Sequence, residues 1–182
     1  MSMRGDYITR MDEELSRTVK AGLIHENPQT HEVEADEAAC AALAGRFGLP
    51  GISRLRGDFT LRHERSGVIA ATLKMRARVT QVCVISLEPF ETSIEEEAEL
   101  RFVPSETLPE DEEEEFPHES LEGPDELPYI NGLIDLGAAL AEQLALALDP
   151  YPRKPDAELP PEATDDSANP FAALKSRFAK PD

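Results

Sequence analysis

The stretch RLRGDFTLRHERSGVIAATLKMRARVT, residues 54–80, contains two runs in which apolar and polar side chains alternate. Alternation with a period of two is typical of a strand that has one buried and one exposed face. Ser66 and Gly67 separate the runs and can form a turn between them. The sequence therefore predicts an antiparallel β-hairpin.

The hairpin also separates its basic residues from its apolar ones. If Leu55, Phe59 and Leu73 face the core, the opposite face carries a set of cations, Arg54, Arg56, Lys74, Arg76 and Arg78. These five residues are our candidate nucleic-acid contacts, because basic side chains position phosphates without reading base sequence. A second interpretation stays open, in which the cations are neutralised by a cross-strand ladder of Glu95, Glu97 and Glu99.

Alternation resumes after the hairpin and predicts a third strand of the same sheet. Ile94, Ala98, Leu100 and Phe102 alternate there with charged residues. Between the second and third strands, residues 82–85 are apolar at every position, which indicates either a bulge or a strand buried on both faces.

Two helices are expected beside these strands. Residues 36–47 place Ala39, Ala42, Leu43 and Phe47 at helical spacing before a Gly-Leu-Pro stop. Residues 134–149 begin at Asp135, a suitable N-cap, and carry leucines at every fourth position. This leucine stripe fits packing across the apolar face of the sheet better than a groove for a partner.

Together these elements predict an α+β fold, an antiparallel β-sheet with two helices packed on it. Its single domain would span residues 15–149, after a flexible N-terminus at residues 1–14. Residues 104–128 hold many acids and no Lys or Arg, which predicts a long, mobile acidic loop. Residues 150–182 form a Pro-rich tail.

Two sets of candidate partner-binding residues lie in the loop and the tail. The first is the acidic run Glu110, Asp111, Glu112, Glu113, Glu114 and Glu115. The second is the apolar stripe of a short amphipathic helix near the C-terminus, Phe171, Leu174 and Phe178. A helix of about ten residues is unstable alone, so it must dock either on its own core or on a partner.

Composition narrows the classes of function. The chain has 182 residues and a formal charge of −19, so nucleic-acid binding by the whole surface is disfavoured, whereas a local basic face is not. The absence of Trp argues against base-stacking platforms. Two cysteines, Cys40 and Cys83, fit reduced thiols in the core of a cytoplasmic protein. No signal peptide or run of about 18 apolar residues is evident, so no membrane partner is expected.

The sequence contains no constellation typical of an enzyme. The four histidines are scattered, and neither a Gly-rich phosphate loop nor a nucleophile elbow is present. We therefore expect no catalytic residues, no cofactor, no metal site and no small-molecule substrate.

Two segments resemble a known family. QVCVISLEPF at residues 81–90 and LIDLGAALAEQLALALDPYPRKP at residues 133–155, with an acidic insert between them, are similar to the YceD family of large ribosomal RNA subunit accumulation proteins, in particular its alphaproteobacterial form. The resemblance implies a bacterial protein that acts in ribosome assembly and is not a known enzyme. Many members have a second cysteine three residues after the first, but Ser86 stands there in this chain. A metal role is therefore not carried over.

Two functional hypotheses follow. The leading one is a non-enzymatic assembly factor that supports the synthesis, processing or accumulation of large-subunit (23S) ribosomal RNA and contacts RNA through the basic hairpin face. The alternative is an acidic chaperone or binding module for a basic large-subunit ribosomal protein.

Overall fold

The structure, a computed structural model, describes residues 14–107 and 124–158. Its main sheet has five strands in the order β2–β3–β4–β5–β6. They are β2 (Gln29–Glu34), β3 (Gly51–His63), β4 (Ile69–Val82), β5 (Pro89–Pro104) and β6 (Asp125–Tyr129). Two helices, α1 (Glu37–Phe47) and α2 (Leu136–Ala147), accompany the sheet. The predicted α+β class is confirmed.

The hairpin predicted from residues 54–80 is formed by β3 and β4. The two strands are antiparallel, with Leu55 opposite Ala77 and Phe59 opposite Leu73 on the buried face. Their turn contains Ser66 and Gly67, both with positive φ. A bulge at Ser53 starts the hairpin, where the pairing register shifts by one residue. The third predicted strand is β5, which pairs antiparallel with β4 along fourteen residue pairs.

Both edges of the sheet differ from the prediction. At one edge, β2 pairs antiparallel with β3 and was not predicted. At the other edge, β6 pairs parallel with β5, so the sheet is mixed rather than wholly antiparallel. Residues 125–128, assigned to the acidic loop from their composition, belong to β6, where Leu127 packs against the core.

The apolar run at residues 82–85 was predicted to be a bulge or a doubly buried strand, and neither description is correct. Val82 ends β4, and the next residues form a turn that leads into β5. Of these four residues only Cys83 is fully buried; Ile85 is half-buried, and Val82 and Val84 are 42% and 44% exposed. The cause is the chain reversal, because Leu87 N–H bonds to Cys83 O at 2.9 Å and closes the turn.

Helix α2 covers the apolar face of the sheet and contacts strands β2 to β5. Its leucine stripe packs into the core as predicted, with Leu136, Leu140 and Leu144 fully buried. Gly57 of β3 lies beneath Leu140, and a Cβ atom there would lie 2.7 Å from Leu140 Cδ1. A glycine at this position therefore allows the helix to approach the sheet closely.

A small second sheet fixes the start of α2. It pairs β1 (Thr18–Lys20) antiparallel with β7 (Leu133–Asp135), the strand that leads directly into the helix. Asp135 is the N-cap, as predicted, and its Oδ1 accepts the N–H groups of Gly137 at 2.9 Å and Ala138 at 3.2 Å. The same oxygen accepts Arg17 N–H at 2.9 Å, so one carboxylate joins the start of α2 to the residue that precedes β1.

Several predicted features lie outside the described residues. They are the acidic run 110–115 and the apolar stripe of Phe171, Leu174 and Phe178. Residues 151–158, assigned to the tail, are described and return to the turn between β4 and β5. Val84 N–H donates to Pro152 O at 2.9 Å, and Lys154 Nζ lies 2.9 Å from a Glu88 oxygen.

Candidate interaction surface on the open sheet face

The face of the sheet opposite α2, called the open face below, carries the five predicted cations. The pairing of β3 with β4 sets Arg54 opposite Arg78 and Arg56 opposite Arg76, and Lys74 lies opposite Asp58. Like charges directly opposite each other repel and destabilise a strand pair. The adjacent strands must therefore supply compensating charge.

That compensation comes from both sides of the hairpin. On the β2 side, Arg56 Nη2 lies 2.9 Å from Glu32 Oε2, and Arg54 Nη2 lies 3.9 Å from Glu34 Oε1. Within β3, the same Arg56 nitrogen donates to Asp58 Oδ1 at 3.1 Å. Carboxylates thus contact the first strand of the hairpin from its own strand and from the neighbouring one.

On the β5 side all three contacts are 3.6–4.0 Å long. Lys74 Nζ lies 3.8 Å from Glu97 Oε1, and Arg76 Nε lies 4.0 Å from Glu95 Oε1. Arg78 Nε lies 3.6 Å from Glu91 Oε1. A glutamate ladder, the second interpretation left open by the sequence, is therefore present. Its members differ from those expected, because Glu99 lies opposite Thr72 rather than a cation.

Counted over all five strands, the open face is close to electrically neutral. Its seven cations are Arg54, Arg56, Arg62, Lys74, Arg76, Arg78 and Arg101, and its eight acids are Glu32, Glu34, Asp58, Glu91, Glu95, Glu97, Glu99 and Glu126. A face with this balance has no net positive field to attract a polyanion.

The five candidate cations are not equivalent. The side chains of Arg54, Lys74, Arg76 and Arg78 are 58–69% exposed, so their ion pairs are weak and exchangeable. Arg56 is only 31% exposed, and its hydrogen bond to Asp58 raises the pKa of its guanidinium. Arg56 is therefore the cation most firmly held in the ladder.

Sequence reasoning missed three of the acids that complete this ladder. Glu32 and Glu34 were missed because β2 was missed, although Thr30, Glu32 and Glu34 alternate with His31 and Val33. That alternation was the available signal. The pairing of Glu91 with Arg78 was missed because it depends on the register between β4 and β5, which the sequence alone does not fix.

A second chemically distinctive group is the Cys83 thiol, which is fully buried in the turn. Its sulfur accepts the backbone N–H groups of Ile85, Ser86 and Lys154, each at 3.4 Å. Hydrogen bonding from Ser86, first through its side chain and then through its backbone, lowers the pKa of the thiol to about 6, with further contributions from Lys154 and Ile85. The Cys83 sulfur thus links the turn to the segment that follows α2.

Residues 14–107 and 124–158, the parts of the chain that the structure describes, contain neither a candidate metal site nor a helix that could span a membrane. No group of three or more His, Cys, Asp or Glu residues in these ranges is arranged to hold a metal ion. None of the helices in the same ranges has the length and apolar character needed to cross a bilayer.

Comparison with known proteins gave one match. The family model described as "Large ribosomal RNA subunit accumulation protein YceD" matches residues 71–176, more than half of the chain. Searches of curated proteins and of solved structures found no match. The matched range contains the glutamate-bearing strand β5, helix α2 and both segments that suggested the resemblance. The chain therefore belongs to the YceD family of large ribosomal RNA subunit accumulation proteins.

Proposed function

We propose that this protein is a non-enzymatic factor of the bacterial cytoplasm that supports accumulation of large-subunit ribosomal RNA, and that it acts by binding a basic large-subunit ribosomal protein. The family's description supports the first part of the proposal. The charge distribution supports the second part.

The glutamate ladder on the open face is the observation that favours a basic protein over RNA as the partner. Each of the five candidate cations lies within 4.0 Å of a carboxylate, so the basic residues offer no excess positive charge there. The chain as a whole carries −19, and residues 108–123 contain eight acids and no Lys or Arg. Such a molecule attracts a polycation and repels RNA phosphates at long range.

Co-purification after nuclease treatment tests this proposal. A tagged chain in its host should recover basic large-subunit ribosomal proteins from an RNase-treated lysate, and moderate salt should release them. Replacing the eight acids of residues 108–123 by Asn and Gln should reduce that recovery and lower the ratio of large- to small-subunit ribosomal RNA in a complemented deletion strain. Recovery that disappears with RNase would contradict a direct protein partner.

The variant must leave β6 intact. A deletion of residues 106–126 would remove two residues of that strand, Asp125 and Glu126, which pair with Leu100 and Arg101. Neutralising the acids preserves both the chain length and the sheet.

RNA contact through Arg54, Arg56, Lys74, Arg76 and Arg78 is the second candidate. The observation in its favour is that four of these side chains are more than half exposed and their ion pairs are 3.6–4.0 Å long. A phosphate oxygen approaching such a cation can replace the carboxylate, because an exposed pair of this kind contributes at most about 1 kcal/mol.

Charge reversal separates the two candidates. If RNA contacts the face, the Arg76→Glu/Arg78→Glu variant should bind large-subunit RNA fragments more weakly. The slope of log binding constant against log salt concentration should also become shallower, by the amount that corresponds to the loss of about two phosphate contacts. The matched control is Lys20→Glu/Arg153→Glu, which reverses two exposed cations that lie outside the five-stranded sheet. Equal RNA binding by both variants would eliminate the face as an RNA site.

A further inference from the structure

The outer edge of β5 is open over most of its length. Strand β6 pairs only with Leu100–Pro104, so residues 89–99 have β4 on one side and no strand on the other within the described parts of the chain. These eleven residues extend about 36 Å at roughly 3.3 Å per residue. Along such an edge, alternate backbone N–H and C=O groups are available to pair with another extended chain.

The side chains along this open edge have one sign of charge. Residues 89–99 contain five glutamates and no Lys or Arg. Glu91, Glu95, Glu97 and Glu99 lie on the open face, and the side chains of Glu95 and Glu97 are 78% and 61% exposed. On the helix side, Ile94 and Ala98 are half-buried against the core, with exposed Glu96 between them.

We propose that the outer edge of β5, residues 89–99, binds an extended Lys/Arg-rich segment of a partner protein as an added β-strand. The backbone of β5 would supply the hydrogen bonds, and its glutamates would select cations at alternate positions of the added strand. Small apolar residues at the intervening positions would lie against Ile94 and Ala98. This inference rests on the proposed basic partner and specifies how that partner is bound.

The glutamates already take part in the ladder, but the ladder does not saturate them. Each of Glu91, Glu95 and Glu97 has one cation at 3.6–4.0 Å on the β4 side. A carboxylate has two oxygens and about four acceptor sites, so a second cation on the outer side can be accommodated. A strand added at the edge brings its side chains within about 5 Å of these carboxylates.

The same charges disfavour the other occupants of an open edge. Antiparallel pairing of β5 with a second copy of this chain would bring two glutamate-rich segments together and destabilise the dimer. A nucleic-acid strand would bring phosphates against five carboxylates. The charge of the edge therefore selects a cationic polypeptide.

A synthetic twelve-residue peptide in which Lys alternates with Val provides the probe, and the full-length protein is used throughout. We expect amides within residues 89–99 to gain hydrogen-exchange protection when the peptide is added. The matched peptide, N-methylated at every residue, keeps the charge but has no backbone N–H donor on either edge, and we expect it to bind at least tenfold more weakly. Equal binding by the two peptides would overturn strand addition, and so would protection of the outer amides before any peptide is added.

Substitutions test the glutamates separately. Glu95→Gln/Glu97→Gln should weaken peptide binding about fivefold, because exposed ion pairs are individually modest. Glu37→Gln/Glu158→Gln removes the same charge at exposed positions outside β5 and should leave binding unchanged. Two results together would refute this binding mode and leave the proposed function intact. The Glu95→Gln/Glu97→Gln chain would still recover ribosomal proteins, and the peptide would give the amides of residues 89–99 no hydrogen-exchange protection.

Discussion

Gly57 of β3 and Leu140 of α2 lie against each other where the helix packs on the sheet, and replacing both tests how the domain is packed. A Cβ atom at residue 57 would lie 2.7 Å from Leu140 Cδ1 and 2.9 Å from Leu73 Cδ1. Gly57→Ala therefore overpacks the interface, whereas Leu140→Ala leaves a cavity directly above residue 57. The double variant places the new methyl group in part of the space that Leu140 vacates.

The expected free energies follow from burial. Leu140 is fully buried, so Leu140→Ala should lower the free energy of unfolding by about 3–5 kcal/mol. Gly57→Ala should lower it by about 1–2 kcal/mol, because overpacking outweighs the reduced entropy of the unfolded chain. If the methyl group relieves the cavity, the double variant should be more stable than the sum of the two effects by about 1–2 kcal/mol.

Urea denaturation followed by circular dichroism measures these differences, with equal m values required across the four proteins. The Gly22→Ala/Leu140→Ala chain is the matched control, since a Cβ at Gly22 meets nothing within 4 Å. Additivity within about 0.5 kcal/mol for Gly57→Ala and Leu140→Ala would refute the described packing.

Two further predictions concern groups outside this interface. In Cys40→Ala, the remaining Cys83 thiol should ionise near pH 6 by thiolate absorbance. In Cys83→Ala, the pKa of Cys40 should lie above the ordinary value of a cysteine thiol, because burial and then Asp36 raise it. Because folding lowers the pKa of Cys83, ionisation of this thiol should stabilise the folded chain. This contribution should be complete above about pH 9 and should disappear as the pH falls through about 6. If Cys83→Ala leaves the pH dependence of the free energy of unfolding unchanged, this prediction is wrong. Asp135→Ala should lower the free energy of unfolding by about 2 kcal/mol in urea, more than Asp135→Asn, which retains an acceptor oxygen; equal losses would exclude the capping role.

The centre of the sheet was predictable because its sequence pattern is long and consistent. Alternation over residues 54–80 leaves one arrangement in which the apolar side chains share a face. Helix α2 was equally clear, since Asp135 caps it and its leucines recur every fourth residue. Local propensity and burial favour the same structure in both elements.

The edges of the sheet were not predictable for a physical reason. In β2 only Val33 is fully buried, so the strand lacks the regular apolar positions by which a strand is recognised in a sequence. Strand β6 pairs in parallel and therefore lacks a hairpin turn, and its five residues include two acids and Pro128, which are tolerated at an edge. Both strands are specified largely by the neighbour that they join.

The same distinction applies to the interaction surface. The alternation of apolar and polar residues was enough to place Arg54, Arg56 and Arg76 on one face. Which carboxylate meets which cation depends on strand register, and one residue of slippage would turn Glu91 and Glu95 to the opposite face. The residues of the surface were thus accessible from the sequence, whereas its net charge required coordinates.

The parallel attachment of β6 has a practical consequence for engineering. The chain leaves the described structure at Thr107 and returns at Pro124, and five residue pairs then align β6 with β5. Those five pairs, rather than a short hairpin turn, hold β6 in register with β5. A fluorescent reporter or an affinity handle should therefore be attached where it leaves the paired residues of both strands unchanged.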